Sequence, residues 1–437
     1  MVYVHPPMGG QSRRRTIPPG PLIRQIQDLD EPEVKVELVR RVHGARLVFC
    51  DHELLMHDFP ELREAEILAR SPELGALSPE ARGAKVRKII EEWVLWNAAF
   101  TSQTQADQTR ANTPIPITGS PVLAWRPPRY GRAFVVQPMN LDRSGPSPGG
   151  CLFDLKGAGA VPGAQPFIGP HATGLCSLYR LISDTCFQWI FDEIFARASP
   201  TFSTLPMYAL LDLGFDLLES PPAPAGLQVR RAHRRPPSAI ELPPTGSGEE
   251  AIKLQIELLL RRFGLTSCTW GSSVHLQDDG HGVQVSFGPM PVALTPVERA
   301  EVASAFRLGA TPLRLDGINI QLTREVSYRP PSAQVLDFGH YHARDWFHFP
   351  LASQVRDQAI RVGGIVWPDS EHFVQPDPRV RLPSAVYGYD EMSAWAMQLA
   401  RSFREGELSG DELRECIYER LPRWPAPVSG AVGRARI

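Results

Sequence analysis

The chain has 437 residues, 43% hydrophobic and 22% charged, with 48 acidic against 46 basic side chains and a net charge of −2. That length suits about two to three domains, and the balance is that of an ordinary globular protein. It excludes bulk electrostatic attraction to nucleic acid or to a membrane surface, and no apolar run approaches the roughly 18 residues of a spanning helix, so neither is expected as a partner.

Residues 1–20 are Pro/Gly-rich, and Arg13-Arg14-Arg15 runs into Thr16-Ile17-Pro18-Pro19-Gly20 where a secretory signal would have an apolar core. They read as a disordered basic tail. Residues 21–112 read as a helical N-terminal region. Its clearest element starts at Ser78 or Pro79 and runs to Trp96, with Val86, Ile89, Ile90 and Val94 at helical spacing. Trp93 and Trp96 on that helix read as core.

From 113 to 240 the texture becomes strand-rich. Pro121–Trp125, Arg132–Val136 and Leu152–Lys156 are short apolar runs between Pro/Gly turns. A long helix is predicted from Leu175 to about Arg197, followed by strands at Pro206–Asp212 and Leu227–Arg231. Residues 236–248 form a Pro/Gly/Ser linker, and 249–437 read as mainly helical. Helices are predicted at Glu249–Phe263 with a stop at Gly264, at Pro296–Leu308 with Thr295 as cap, and at 350–362 and 390–421; a strand is predicted at Val283–Phe287. The expected fold class is α+β: a two-lobed, protein-kinase-like fold with an additional N-terminal helical region.

Six cysteines lie at 50, 151, 176, 186, 268 and 416 with no Cys-x-x-Cys pair. That gives no zinc or disulfide framework and fits a reducing cytoplasm. The 43 prolines and the Arg bias suggest a GC-rich bacterial genome.

That bias makes one residue conspicuous. Only five lysines occur, at 35, 85, 88, 156 and 253, which leaves 41 of the 46 basic residues as Arg. Between 89 and 252 the single Lys is Lys156, at the end of an apolar strand that runs into Gly157-Ala158-Gly159. A compact ammonium and an arginine fork are not interchangeable, so Lys156 is a candidate phosphate ligand. Downstream, Asn319 sits in Leu315-Asp316-Gly317-Ile318-Asn319-Ile320, and Asp337 opens Asp337-Phe338-Gly339 eighteen residues later. Mg²⁺ takes hard oxygen ligands, one or two from protein, and kinases hold their metals with an Asn and an Asp-Phe-Gly acid. A protein kinase proper carries a catalytic Asp five residues before that Asn; here the position is Arg314, and the nearest acid is Asp316. The glycines follow the Lys instead of preceding it. His340, His342 and His348 lack a third zinc-type spacing and read as packing residues.

On these residues the chain resembles the selenoprotein O family of kinase-like protein AMP transferases. The matching segments are Leu155-Lys156-Gly157-Ala158-Gly159-Ala160-Val161-Pro162, Gly131-Arg132-Ala133, Asn319 without a kinase Asp before it, Asp337-Phe338-Gly339 and, more loosely, Arg231-Ala232-His233-Arg234-Arg235. The family's second Gly-Asp-Gly-Arg is replaced here by Gly169–Gly174. The resemblance implies that ATP and Mg²⁺ (or Mn²⁺) are bound and that AMP passes to a protein or peptide hydroxyl. It implies that Lys156, Gly157, Gly159, Arg132, Arg231 and Arg234 hold the nucleotide, and that Asn319 and Asp337 hold the metal. Asp184, or else Glu193, steadies Lys156, and Asp316 orients the acceptor hydroxyl or holds a metal-bound water. A kinase-like phosphotransferase and a nucleotide-binding pseudokinase scaffold are the alternatives.

Overall fold

The computed structural model describes residues 34–102, 115–127, 130–148, 151–160, 174–198, 202–219, 221–233 and 389–421, with shorter pieces at 256, 259–260, 265–267, 274–278, 283–287, 290–291, 319–322, 333–338 and 341–343. The architecture is α+β, with mixed helices and mainly antiparallel sheet.

The largest element is a nine-stranded antiparallel sheet in the order β2-β9-β10-β6-β5-β4-β1-β3, with β7 also paired to β10. Its strands are β1 (Lys35–Val42), β2 (Arg46–Cys50), β3 (Phe100–Ser102), β4 (Ile117–Arg126), β5 (Ala133–Val136), β6 (Phe153–Lys156), β7 (Cys176–Ser177), β9 (Met207–Leu217) and β10 (Ala223–Arg231). Between β7 and β9 come the helix α4 (Leu178–Ala198) and the short strand β8 (Phe202–Thr204). Four short strands follow β10: β11 (Leu265–Ser267), β12 (Val274–Asp278), β13 (Val283–Phe287) and β14 (Met290–Pro291). A further sheet pairs β15 (Asn319–Leu322) antiparallel with β16 (Ala333–Leu336), and β16 in parallel with β8.

Strand pleating sends alternate residues to opposite faces, and this sheet buries both. On one face Phe153, Tyr208 and Leu211 meet Phe59 and Trp93, contributed by the helical segment of α1 (His52–Asp58), α2 (Glu64–Arg70) and α3 (Pro79–Ala98). Their rings touch edge-on or tilted at 5.1–5.5 Å. Each such buried side chain contributes about 1.5–3 kcal/mol by removal from water. On the other face Leu210 and Met207 meet Leu181, Ile182, Phe187, Phe191 and Ile194 of α4. Helices α5 (Tyr389–Glu405) and α6 (Gly410–Arg420) extend the same core through Met392, Ala396, Phe403, Leu413 and Ile417.

Local signals explain the ends of these elements. Ser78 caps α3, its hydroxyl accepting from the Ala81 amide at 3.3 Å with Pro79 at the first helical position. The helical stretch expected over 390–421 holds two helices, because Gly406 takes a left-handed φ of 80° and Ser409 and Glu412 form a capping box that starts α6.

The expectation of a helical module at 21–112 is corrected. Its helices exist, but Lys35–Val42 and Arg46–Cys50 are strands of the main sheet. They pair with β4 and β9, so the 112/113 boundary separates no structural units. The helices expected at 249–263, 296–308 and 350–362 lie outside the described residues, apart from the buried side chains of Ile256, Leu259 and Leu260.

Candidate active site

Lys156 ends β6, and the register of the neighbouring strands defines what surrounds it. Gln228 of β10 and Ala133 of β5 lie directly opposite Lys156; Arg230 and Val135 lie opposite Asp154. Because Asp154 and Lys156 are two residues apart, both face α4. Arg231 lies opposite Phe153 and faces the other way.

Lys156 Nζ donates to Asp184 Oδ2 at 2.7 Å and lies 2.7 Å from Asp337 Oδ1. Arg230 Nη1 donates to the same Asp337 oxygen at 3.0 Å, while its Nε and Nη2 meet Asp154 Oδ2 at 2.9 and 2.8 Å. The imidazole of the fully buried His233 closes the row, with Nδ1 at 3.3 Å from Asp154 Oδ2 and 3.1 Å from the Tyr130 hydroxyl. Three acids and two cations from β6, β10, α4 and the end of β16 thus share one continuous network. Among the described residues, the second buried oxygen of Asp184, Oδ1, has no hydrogen-bond partner.

Burial acts to push the Lys156 ammonium down, but the carboxylates of Asp184 and Asp337 together outweigh it and hold its pKa above the usual lysine value, with Arg230 and Arg132 opposing. Lys156 is therefore charged throughout the neutral range. Burial likewise acts against the Arg230 charge, and Asp154 and Asp337 overcome it, so its pKa is raised. The nearby Cys176 thiol is pushed up, chiefly by burial, and is no thiolate nucleophile.

Asp337 is the exposed end of this network, with 18% of its side chain accessible against 3% for Asp184. Its φ of 63° is left-handed, a conformation that side-chain-bearing residues adopt at some cost. Neighbouring packing enforces it. Leu336 and Phe338 are both buried, and the Phe338 ring meets Phe191 of α4 edge-on at 4.9 Å. Helix α4 also fixes the strands beneath: Gln188 Nε2 donates to the Leu205 carbonyl at 2.7 Å, and Leu205 N donates to Val335 O at 2.8 Å. The β15–β16 register sets Asn319 opposite Leu336, one residue before Asp337.

The structure brings together Lys156, Asp184 and Asp337 of the residues expected at the site, with the Asn319 backbone alongside. Of the two candidate acids for Lys156, Asp184 is the one that touches it, and Glu193 is not. Arg132 is half-buried and lies close enough for its charge to act on both Lys156 and Cys176. Asp316 and Arg234 lie outside the described residues.

Two assignments are corrected. Arg231 is on the opposite face, where its guanidinium forms a forked ion pair with the buried Asp58, which also accepts from Tyr208 Oη at 2.6 Å. Gly157 does not offer its amide to a ligand: Gly157 N and Ala158 N both donate to the Arg132 carbonyl, at 2.9 and 3.3 Å. Gly157 is needed because its φ is 92° and an added Cβ would lie 2.8 Å from Cys176 Cβ. Gly159, at φ 126°, has its carbonyl tied by Arg126 Nη2 at 3.1 Å. The residue missed in the sequence is Asp154, whose signal is its two-residue offset from Lys156. Arg230 belongs to the basic run Arg230, Arg231, Arg234 and Arg235, and which of Arg230 and Arg231 joins the site depends on strand register.

The donor set at Asp337 fits Mg²⁺, since it offers hard, partly accessible carboxylate oxygens and that ion takes few protein ligands. The cations Lys156 and Arg132 suit a polyphosphate. Among the described residues no group of three or more His, Cys, Asp or Glu gathers as a metal site, and no helix is long and apolar enough to cross a membrane. No protein-family model matches the chain, and no curated protein matches it.

Proposed function

We propose that the chain is a nucleotidyltransferase with a two-lobed kinase-like fold, using ATP and Mg²⁺ to transfer AMP to a hydroxyl of a protein or peptide. The observation that carries this reading is the contact of Lys156 with both Asp184 and Asp337 at 2.7 Å. Protein kinases pair a lysine on the third strand of a small sheet with an acid on the following helix and hold Mg²⁺ with the Asp-Phe-Gly acid. The chain order β4-β5-β6, α4, β9-β10, with the strands lying β9-β10-β6-β5-β4 in space and Lys156 on the third, supports the same reading.

In this mechanism Lys156, steadied by Asp184, binds phosphate oxygens with Arg132. Asp337 and Asn319 would hold Mg²⁺, which supplies neutralisation of phosphate charge. The acceptor oxygen attacks the α-phosphorus, the bond to the bridging oxygen breaks, pyrophosphate leaves, and the hydroxyl proton passes to a neighbouring base or to water. Asp316 is the acid assigned to orient that hydroxyl. Transfer of this kind depends mainly on positioning and charge stabilisation, so Arg314 in place of the kinase Asp is compatible with it. The glycines after Lys156, as in the family the chain resembles, favour AMP as the transferred group.

The test is isotopic. Incubation with ATP labelled at the α-phosphate should label an acceptor protein or the chain itself, and Lys156→Ala should not. Label arriving only from the γ-phosphate would replace this reading with a phosphotransferase. ATP binding with neither label transferred would make the chain a nucleotide-binding scaffold.

A further inference from the structure

The proposed reaction assigns no role to Asp154, yet Asp154 is one of the most deeply buried charges among the described residues. It is fully buried, it faces α4 from the strand that carries Lys156, and it takes the Nε and Nη2 edge of Arg230 on a single oxygen at 2.9 and 2.8 Å. That engagement fixes the plane of the guanidinium. Nη1, the corner left over, then falls 3.0 Å from Asp337 Oδ1. The acid is itself held from behind by His233 at 3.3 Å, and Tyr130 Oη fixes His233 by donating to its carbonyl at 2.7 Å.

A buried ion pair is a poor way to stabilise a strand, since apolar residues of the same size usually do as well or better. Here the pair has a further output, because its free corner reaches the one acid of the network that is partly accessible. Asp337 also occupies a strained left-handed conformation, and a fixed donor on Oδ1 opposes its relaxation.

We propose that Asp154 is a positioning residue for this site: through Arg230 it fixes the Asp337 carboxylate in the orientation that receives a divalent cation. The inference rests on the reading of Asp337 as a metal ligand. It assigns to Arg230 the task of aiming that ligand, and to Asp154, His233 and Tyr130 the task of aiming Arg230. Outer partners of this kind typically alter metal affinity 10–100-fold when removed.

The experiment compares wild type with Asp154→Asn by two readouts. The first is ATP binding measured by calorimetry across a Mg²⁺ titration. The Mg²⁺ concentration for half-maximal binding should rise about 10–100-fold in Asp154→Asn, with ATP affinity at saturating Mg²⁺ retained. The second is amide exchange at Leu336–Phe338 in the nucleotide-free protein, which should accelerate. An unchanged Mg²⁺ requirement in a folded Asp154→Asn protein overturns the proposal. Wild type that binds no ATP at any Mg²⁺ concentration refutes the nucleotide reading instead, and unchanged exchange at Leu336–Phe338 then overturns the positioning role independently. If Asp154→Asn loses its cooperative melting transition, Arg230→Lys takes its place, because it keeps a cation but cannot hold Asp154 and Asp337 together, and the same outcomes apply.

Discussion

Arg230 and Arg231 are neighbours on one strand, both almost fully buried and both paired with buried aspartates, yet they serve two different regions. On the α1 side, Arg231, Asp58 and Tyr208 sit beneath Phe59 and Phe153. On the α4 side, Arg230 belongs to a longer chain of charges that ends at the partly accessible Asp337. The chemistry of the two pairs is the same. What separates a tie that holds helix to sheet from the proposed site is whether the charges lead to solvent. Of the two regions, the strained backbone at Asp337 belongs to the side that does.

That contrast can be broken experimentally. The largest effect is expected on the closed side. Asp58→Asn leaves Arg231 buried without its carboxylate and should cost about 3–5 kcal/mol of stability, seen in chemical denaturation, while ATP affinity of the folded fraction stays unchanged. Impaired nucleotide binding at full stability would move Arg231 back into the site. On the open side Asp337→Asn should show the converse, a loss of about 10²–10³-fold in transfer rate with little change in melting temperature. A smaller effect is expected at Gly157→Ala, where the left-handed backbone and the Cys176 contact should cost about 1–3 kcal/mol. Reduced ATP affinity without that loss of stability would show that Gly157 touches phosphate after all.

The smallest effect concerns pH. The folded protein holds the Lys156 proton more tightly than the unfolded chain does, because the Asp184 and Asp337 carboxylates outweigh its burial. Its contribution to stability is thus fully present below the unfolded-state lysine pKa and is lost as pH rises through the higher folded-state value. The stability difference between wild type and Lys156→Met should stay flat from neutral into moderately alkaline solution and narrow only beyond the usual lysine range. A difference that narrows near neutrality would mean that burial dominates.

The sequence signals that proved readable are those carried by short-range chemistry. Ser78-Pro79 announces α3, the strand runs at Ala133–Val136 and Phe153–Lys156 are apolar and bounded by turns, and Lys156 stands out in an Arg-rich chain. What could not be read depends on long-range pairing. In β1 the usual polarity is inverted: Val36 and Leu38 are exposed, while Glu37 is buried against Arg126 at 2.6 Å. A strand that buries Glu37 between exposed Val36 and Leu38 and then buries Val39 and Val42 breaks the usual alternation, and its partner β4 lies some eighty residues away in the chain. The same limit governs the arginines. Two consecutive cations on a strand face opposite ways, and only the pairing with β6 decides which of them joins Lys156. The glycines after Lys156 were legible as a turn but not as one whose amides are already occupied.

Helix α4 has a mechanical consequence. Asp184 and Phe191 are seven residues apart, two turns along the same face, and Gln188 lies between them. Asp184 grips Lys156 and Phe191 braces Phe338, while Gln188 grips the connection between β8 and β9 that is bonded to β16. One rigid rod thus sets both acids that flank Lys156. Anything that slides or rotates α4, whether a docking protein or a pull on α5 where the two helices pack, must loosen the Asp184 and Asp337 contacts together. The site is wired to respond as a unit to the seating of a single helix.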